Sequence, residues 1–287
     1  MKNFILIGAA GYIAPRHIQA IKDTGNNLIA IYDPHDSVGI IDRYFPECLY
    51  FSDFDRLDRH VYSLLRQGQK IDYVSITSPN YLHDAHCRWS LRIGADAICE
   101  KPLVLSENNI DALLDLEKET GNRVYGLYQL RYHNNTEKIF NAIKSNSLNI
   151  VNIDYKTPRG NWYQYSWKGD RRKSGGVETN IGCHLFDICS YFFGEHKNIN
   201  ILESEFNYSV GTLEFDNAKI TWTLSTKQGE PKRVFNVNGT DISFDSGFTD
   251  LHTKVYQKIL DGQGISIENH RESIKICNYI RNFKWAE

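Results

Sequence analysis

The chain has 287 residues, 33 basic against 35 acidic, for a formal net charge of -2. Hydrophobic residues make up 41% and charged residues 24%, ordinary values for a globular protein that can bury a core in each of about two domains. The balance of charge shows none of the basic excess that nucleic-acid binding calls for, and no segment reaches the roughly 20 apolar residues of a membrane-spanning helix.

Along the first 130 residues, short apolar runs alternate with helical patterns. Residues 4–7 (Phe-Ile-Leu-Ile) read as a strand, followed by a helix over 14–23 and a second strand over 27–32. Residues 49–51 give a short third strand, 53–67 a helix, 71–77 a fourth strand and 81–93 a helix. Residues 97–99 form a fifth strand, 106–120 a helix with Ser106 as its N-cap, and 124–130 a sixth strand. Lys2 followed by an apolar run loosely resembles a secretory signal, but the run is short and breaks at once into glycines, as a strand entering a phosphate-binding turn does. Alternation of this kind implies a parallel sheet covered on both faces.

After about residue 148 strand-like segments follow one another at 150–156, 199–207, 210–215, 218–225, 232–237 and 240–244. Helices are expected at 180–193, 249–260 and 268–282. The expected layout is therefore a parallel α/β domain over 1–130 and a mostly antiparallel α+β domain over 131–287, whose last helices can pack back on the first. Neither repeats nor low-complexity tracts interrupt it. Cys48, Cys87, Cys99, Cys183, Cys189 and Cys277 are scattered without a CxxC pair, which suits reduced, buried thiols in a cytosolic protein.

The first strand runs into Gly8-Ala9-Ala10-Gly11-Tyr12-Ile13-Ala14. Small residues at the start of a helix let a dinucleotide pyrophosphate approach the backbone, where free N–H groups and the positive dipole end await it. GxxGxxA departs from GxGxxG, and a tight turn that happens to use glycine is the plain alternative. Asp33 ends the second strand, 22 residues after Gly11; an acid there accepts both ribose hydroxyls and repels a 2′-phosphate, favouring NAD over NADP. Asp36 and Ser37 can reach the adenosine side, and Asp33 merely starting a turn is the bland reading.

Two further strand ends are polar: Thr77-Ser78-Pro79-Asn80-Tyr81-Leu82-His83 and Glu100-Lys101-Pro102. Ligands in open α/β sheets bind beyond the carboxyl ends of the strands, so both clusters belong to a cofactor crevice. Lys101 is costly at a buried strand end unless it meets a partner or substrate, a structural ion pair with Glu100 being the alternative. His83 and His86 have a spacing that could hold a metal, but no third ligand pattern accompanies them, and no metal is expected. In the second half Asn180-Ile181-Gly182-Cys183-His184-Leu185-Phe186-Asp187 opens a helix, and His184 and Asp187 can share a face. A histidine suits proton transfer from an alcohol, although a lone one is more often structural.

The glycine turn, Ser78-Pro79-Asn80 with His83, Glu100-Lys101-Pro102 and Gly182-x-His184-x-x-Asp187, in that order, resemble the Gfo/Idh/MocA family of sugar dehydrogenases over essentially the whole chain. The resemblance implies that Lys101 hydrogen-bonds the reacting hydroxyl while His184 takes its proton as hydride moves to nicotinamide C4. It also implies a cofactor set of Gly8, Ala10, Gly11, Tyr12, Ile13, Asp33, Asp36, Ser37, Ser78, Asn80, His83, Glu100, Lys101, Gln129 and Trp167. Many members carry aspartate where this chain has Asn180, which leaves Lys101 and His184 as the catalytic pair.

Residues 159–176 combine Arg159, Asn161, Trp162, Tyr163, Trp167, Lys168, Arg171, Arg172 and Lys173. Cationic groups bind carboxylate or phosphate and aromatic rings stack on sugar or base faces, so an anionic, ring-containing substrate is indicated; a solvated basic loop or a subunit contact is the alternative. With the Gly8-to-His17 and Gly247-to-His252 stretches, this segment resembles the WlbA/WbpB-type members, which oxidise the sugar 3-hydroxyl of UDP-N-acetylglucosaminuronic acid on a route to bacterial surface polysaccharide. That resemblance implies a UDP-sugar acid bound by Lys101, Arg159, Asn161, Trp162, Tyr163, Lys168, Arg172, Asn180 and His184. It further implies tightly held NAD, 2-oxoglutarate as reoxidant in some members, and a cytoplasmic homotetramer packed through open sheet faces, with Trp222 exposed there. A dehydrogenase of a neutral sugar or cyclitol, or a non-catalytic NAD-sensing protein of the same fold, are the alternatives.

Overall fold

The computed structural model describes residues 1–244 and 250–283. Residues 247–249 of the Gly247-to-His252 stretch lie outside these, as does residue 249 of the helix expected from there. The chain divides into two compact units: 1–103 with 108–127 and 250–268, and 104–107 with 128–249 and 269–287. The helix after residue 250 belongs to the first unit.

The first unit runs β1 (Asn3–Ile7), α1 (Ala14–Asp23), β2 (Asn27–Tyr32), β3 (Leu49–Phe51), α2 (Phe54–Arg66), β4 (Tyr73–Ile76), α3 (His83–Arg92), β5 (Asp96–Glu100), α4 (Asn108–Thr120) and β6 (Val124–Leu127). Its six strands are parallel in the order β3-β2-β1-β4-β5-β6. The order reverses between β1 and β4, the switch point at which such sheets bind ligands. Phe4, Ile5, Leu6 and Ile7 are all fully buried, as a strand covered on both faces requires. Helix α4 starts at Asn108, so Ser106 is not its N-cap.

The second unit contributes α5 (Thr136–Ala142), β7 (Asn149–Lys156), two one-turn helices α6 (Trp162–Tyr165) and α7 (Arg171–Ser174), α8 (Cys183–Phe193), and strands β8 (Asn198–Glu205), β9 (Tyr208–Glu214), β10 (Ala218–Ser225), β11 (Lys232–Val237) and β12 (Thr240–Asp241). These strands form one sheet in the order β12-β11-β7-β10-β9-β8, antiparallel except for the β7–β10 pair. Two helices follow. Helix α9 (Leu251–Leu260) lies in the first unit, where Tyr256 stacks on Phe4 with ring centroids 5.9 Å apart, and α10 (Arg271–Asn282) lies in the second.

Trp222 is not on an open sheet face. Along β10, Ala218, Ile220, Trp222 and Leu224 form one alternating set and Lys219, Thr221 and Thr223 the other. The apolar set faces inward, leaving Trp222 1% exposed, its ring edge-on to Phe186 of α8 at 5.6 Å and its indole N–H donating to Ser209 Oγ at 3.0 Å. The ring lies over its β9 partner Gly211, where a Cβ would fall 2.4 Å from the indole and 2.4 Å from the Asn200 carbonyl. Gly211→Ala is therefore expected to cost about 1–3 kcal/mol through overpacking. A chemical-denaturation midpoint that falls with unchanged slope would show this, and an unchanged midpoint would refute it.

Candidate active site

The glycine turn is tied down by its own backbone. The N–H groups of Gly8 and Ala9 donate to the Tyr32 carbonyl at 2.8 and 3.2 Å, and that of Ala10 donates to Asp33 Oδ2 at 3.0 Å. Gly8 has φ +90°, and a Cβ on it would fall 2.5 Å from the Ser78 nitrogen, so glycine is required here for packing against the end of β4. Thr77 Oγ1 seals the same seam by donating to the carbonyls of Ile7 and Gly8, both at 2.9 Å. Among the cofactor candidates, Ala10 thus serves Asp33, while Tyr12 and Ile13 stand at the N-terminal end of α1, where the helix dipole favours an anion.

Asp33 is buried, with Oδ1 accepting from the His35 N–H at 2.9 Å and Oδ2 from Ala10. Each oxygen keeps a lone pair with which to accept a ribose hydroxyl. Asp36 and Ser37 follow on an exposed bend. The turn, the helix end and the oriented carboxylate fit a dinucleotide.

At the ends of β4 and β5 the polar residues are mostly engaged with one another. Ser78 Oγ meets His86 Nδ1 at 2.8 Å, and burial followed by the nearby His83 pulls His86 down to about 4. His83 is buried with both ring nitrogens 2.7 Å from backbone carbonyls, Nδ1 at Pro102 and Nε2 at Ser78. Asn80 is buried in the short helical turn Asn80–Leu82. Glu100 is buried too: Oε1 accepts from His17 Nε2 at 3.0 Å and His252 Nε2 at 3.1 Å, and Oε2 accepts from the Lys101 N–H at 3.1 Å. Lys101 itself is half-buried, one residue beyond β5.

In the second unit, His184 sits in the first turn of α8, directly after a π-helical turn, Glu178–Gly182. Such wide turns re-aim the side chains that follow them. Asp187 does not pair with His184 across the helix face. It accepts a bidentate bond from Arg131 (2.7 Å to each oxygen) and a bond from His270 Nδ1 (2.8 Å). Burial raises the Asp187 carboxyl, but His270 and Arg131 together hold it below the usual range. The Tyr128 ring stacks on His270 at 4.1 Å and stands edge-on to His184 at 6.1 Å. Gln129 is buried beside it in the turn Gln129–Tyr132. Asn180 donates to Tyr163 Oη at 3.1 Å.

The structure separates cationic groups that composition could not. Arg171 reaches Glu178 Oε1 at 2.7 Å, Ser204 Oγ and the Ile280 carbonyl, an anchoring role. Arg172 is exposed and paired with Asp170, Lys173 is exposed, and the Lys168 ammonium lies over both Trp167 (4.8 Å) and Trp162 (5.8 Å). Trp167 is thus grouped with Lys168 and Trp162. Arg159 and Asn161 are exposed, with the Arg159 backbone held by Thr226 and Gln228, and Tyr163 is buried.

Glu178 is fully buried, and desolvation raises its carboxyl to about 7 against the pull of Arg171. The folded protein therefore holds this proton more tightly than the unfolded chain. Its contribution to stability is complete below the ordinary glutamate value of 4.5 and is lost as pH rises toward 7. Glu178→Gln cannot titrate, so its Tm relative to the parent is expected to improve between pH 5 and pH 7.5. Parallel Tm profiles would rule this out.

Comparison with known proteins agrees with this arrangement. A family model described as the oxidoreductase family, NAD-binding Rossmann fold, matches residues 2–128, and the family's C-terminal alpha/beta domain matches 142–286. The WlbA (WbpB) dehydrogenase from Thermus thermophilus, solved in complex with NAD and alpha-ketoglutarate, is 39% identical, covers 100% of this chain and 97% of its own, and has a TM-score of 0.95. The same enzyme in complex with NAD and UDP-GlcNAcA gives 38% identity with the same coverage and a TM-score of 0.95. Glucose-6-phosphate 3-dehydrogenase of Bacillus subtilis (strain 168) is 24% identical over 99% of this chain and 74% of its own length. No helix among the described residues is long and apolar enough to cross a membrane. Matched in both halves, the chain belongs to the Gfo/Idh/MocA family of oxidoreductases, and its first half is an NAD-binding Rossmann domain.

Proposed function

We propose that this protein oxidises the 3-hydroxyl of UDP-N-acetylglucosaminuronic acid to the 3-keto sugar, with NAD as hydride acceptor. The observation that carries the reading is the likeness, at 38% identity over nearly the full length of both chains, to a dehydrogenase solved with NAD and UDP-GlcNAcA. The aromatic and cationic segment 159–173 supports it, since that substrate bears a diphosphate, a carboxylate and rings.

When bound, NAD supplies a hydride acceptor at nicotinamide C4. In the proposed step Lys101 hydrogen-bonds the 3-oxygen and stabilises negative charge as it develops there, and His184 accepts the hydroxyl proton. Breaking the O–H and C–H bonds of the carbinol then leaves a ketone. Lys168, set between two indoles, and Arg159 and Arg172 on the exposed surface are the groups proposed to meet the anionic part of the substrate, with Asn161, Trp162, Tyr163 and Asn180 lining it. The proposal extends to a cytosolic homotetramer acting in surface-polysaccharide synthesis, and to 2-oxoglutarate as reoxidant, in line with the alpha-ketoglutarate complex of the Thermus enzyme.

The direct test adds UDP-N-acetylglucosaminuronic acid to protein and NAD, with and without 2-oxoglutarate, and follows reduced cofactor and 3-keto sugar. Product in either condition is expected; NAD binding without product would overturn the substrate assignment and favour a neutral sugar or cyclitol. Lys101→Ala and His184→Ala are each expected to lower kcat by about 10²–10⁴-fold with NAD affinity near that of the parent. Loss of NAD binding in both variants would make them structural residues instead.

A further inference from the structure

Two stretches carried the likeness to one subfamily without any role for their terminal histidines, His17 and His252. Lying 235 positions apart in sequence, both end on Glu100 Oε1. All three side chains are buried, and Glu100 precedes Lys101.

A carboxylate oxygen can only accept, which constrains the hydrogens of this cluster. Burial pushes the Glu100 carboxyl up, yet the bonds from His17 and His252 hold it well below its ordinary value, so it is an anion that only accepts. The Nε2 atoms of His17 and His252 must therefore both carry hydrogen. Burial lowers the His17 pKa despite Glu100, and in the neutral ring that this favours Nδ1 accepts from Tyr256 Oη at 2.7 Å, which in turn accepts from Ser75 Oγ at 2.6 Å. The hydrogens run Ser75 to Tyr256 to His17 to Glu100, with His252 donating from the other side, each donor polarising the next.

The other oxygen of the same carboxylate accepts from the Lys101 N–H at 3.1 Å, and His83 Nδ1 lies 2.7 Å from the Pro102 carbonyl on the far side.

We propose that Glu100, oriented by His17 and His252, is a positioning residue for Lys101 rather than a cofactor ligand. The helix α9, which follows the whole second sheet in sequence, is present in the first unit to supply His252 and Tyr256 to this mount. The inference rests on the role proposed for Lys101.

Glutamine can place Nε2–H where the imidazole Nε2–H stands, and leucine cannot donate. His252→Leu is therefore expected to lower kcat for sugar oxidation by about tenfold or more, with NAD affinity within about threefold of the parent, because small misplacements of a reacting group are costly. His252→Gln, though its Tm also falls, is expected to keep kcat within about threefold of the parent because the donor is restored. Parental kcat in H252L, or H252Q no better than H252L, overturns the proposal. The same three ligand atoms lie within 4.8 Å of one another, compact enough for a cation, so elemental analysis of the purified protein is the second measurement. Substoichiometric metal is expected, and one equivalent of bound zinc or iron would overturn the hydrogen-bonded reading. K101A separates the two levels: inactive K101A beside fully active H252L defeats this inference alone, whereas active K101A defeats the proposed role of Lys101 and this inference with it.

Discussion

A carboxylate buried without donors takes up a proton, because desolvation disfavours the charged form. At Glu100 two imidazole Nε2 atoms and a backbone N–H converge on the carboxylate and hold its pKa down against burial. Much of the first unit is arranged to deliver those donors. Helix α1 brings His17, α9 brings His252 and the Tyr256 hydroxyl, and β4 brings Ser75. Helix α1 also follows the glycine turn, so one buried charge connects that turn with the residue proposed to polarise the substrate.

The second unit solves the same problem independently. Asp187 keeps its charge through Arg131 and His270, and the Tyr128 ring lies against both His270 and His184. Removing one partner of such a buried pair is strongly destabilising, by about 3–5 kcal/mol, because the other charge is left uncompensated. Glu178 is the contrasting case. With Arg171 as its charged partner and one carboxylate oxygen lacking a partner among the described residues, it sits near neutrality in pKa. Geometry of donors, rather than depth of burial, distinguishes these three acids.

The parallel sheet, the glycine turn, the acid at the end of β2 and the order of the polar strand ends were legible in the sequence because each is a local pattern. Apolar runs of four to six residues separated by helical periods specify covered parallel strands, and small residues between strand and helix specify a turn that backbone or phosphate can approach. Trp222 misled for the opposite reason. A tryptophan read singly says nothing about which face it takes, whereas its alternation with Ala218, Ile220 and Leu224 places it with the inward set. Arg171, Arg172 and Lys173 are equivalent as letters, and only Glu178 and Ser204, brought in from elsewhere in the chain, make Arg171 an anchor.

By itself, then, the sequence determined the two kinds of sheet and the glycine turn with Asp33, and it singled out Lys101 and His184 as the reactive candidates. Those features depend on residues within a few positions of each other or on the carboxyl ends of predicted strands. What the tertiary structure alone decided was how those residues are held: Glu100 by histidines from α1 and α9, and Asp187 by Arg131 and His270. The reason is physical. A buried charge selects its donors by where the backbone brings them in space, and separation along the chain carries no record of that choice.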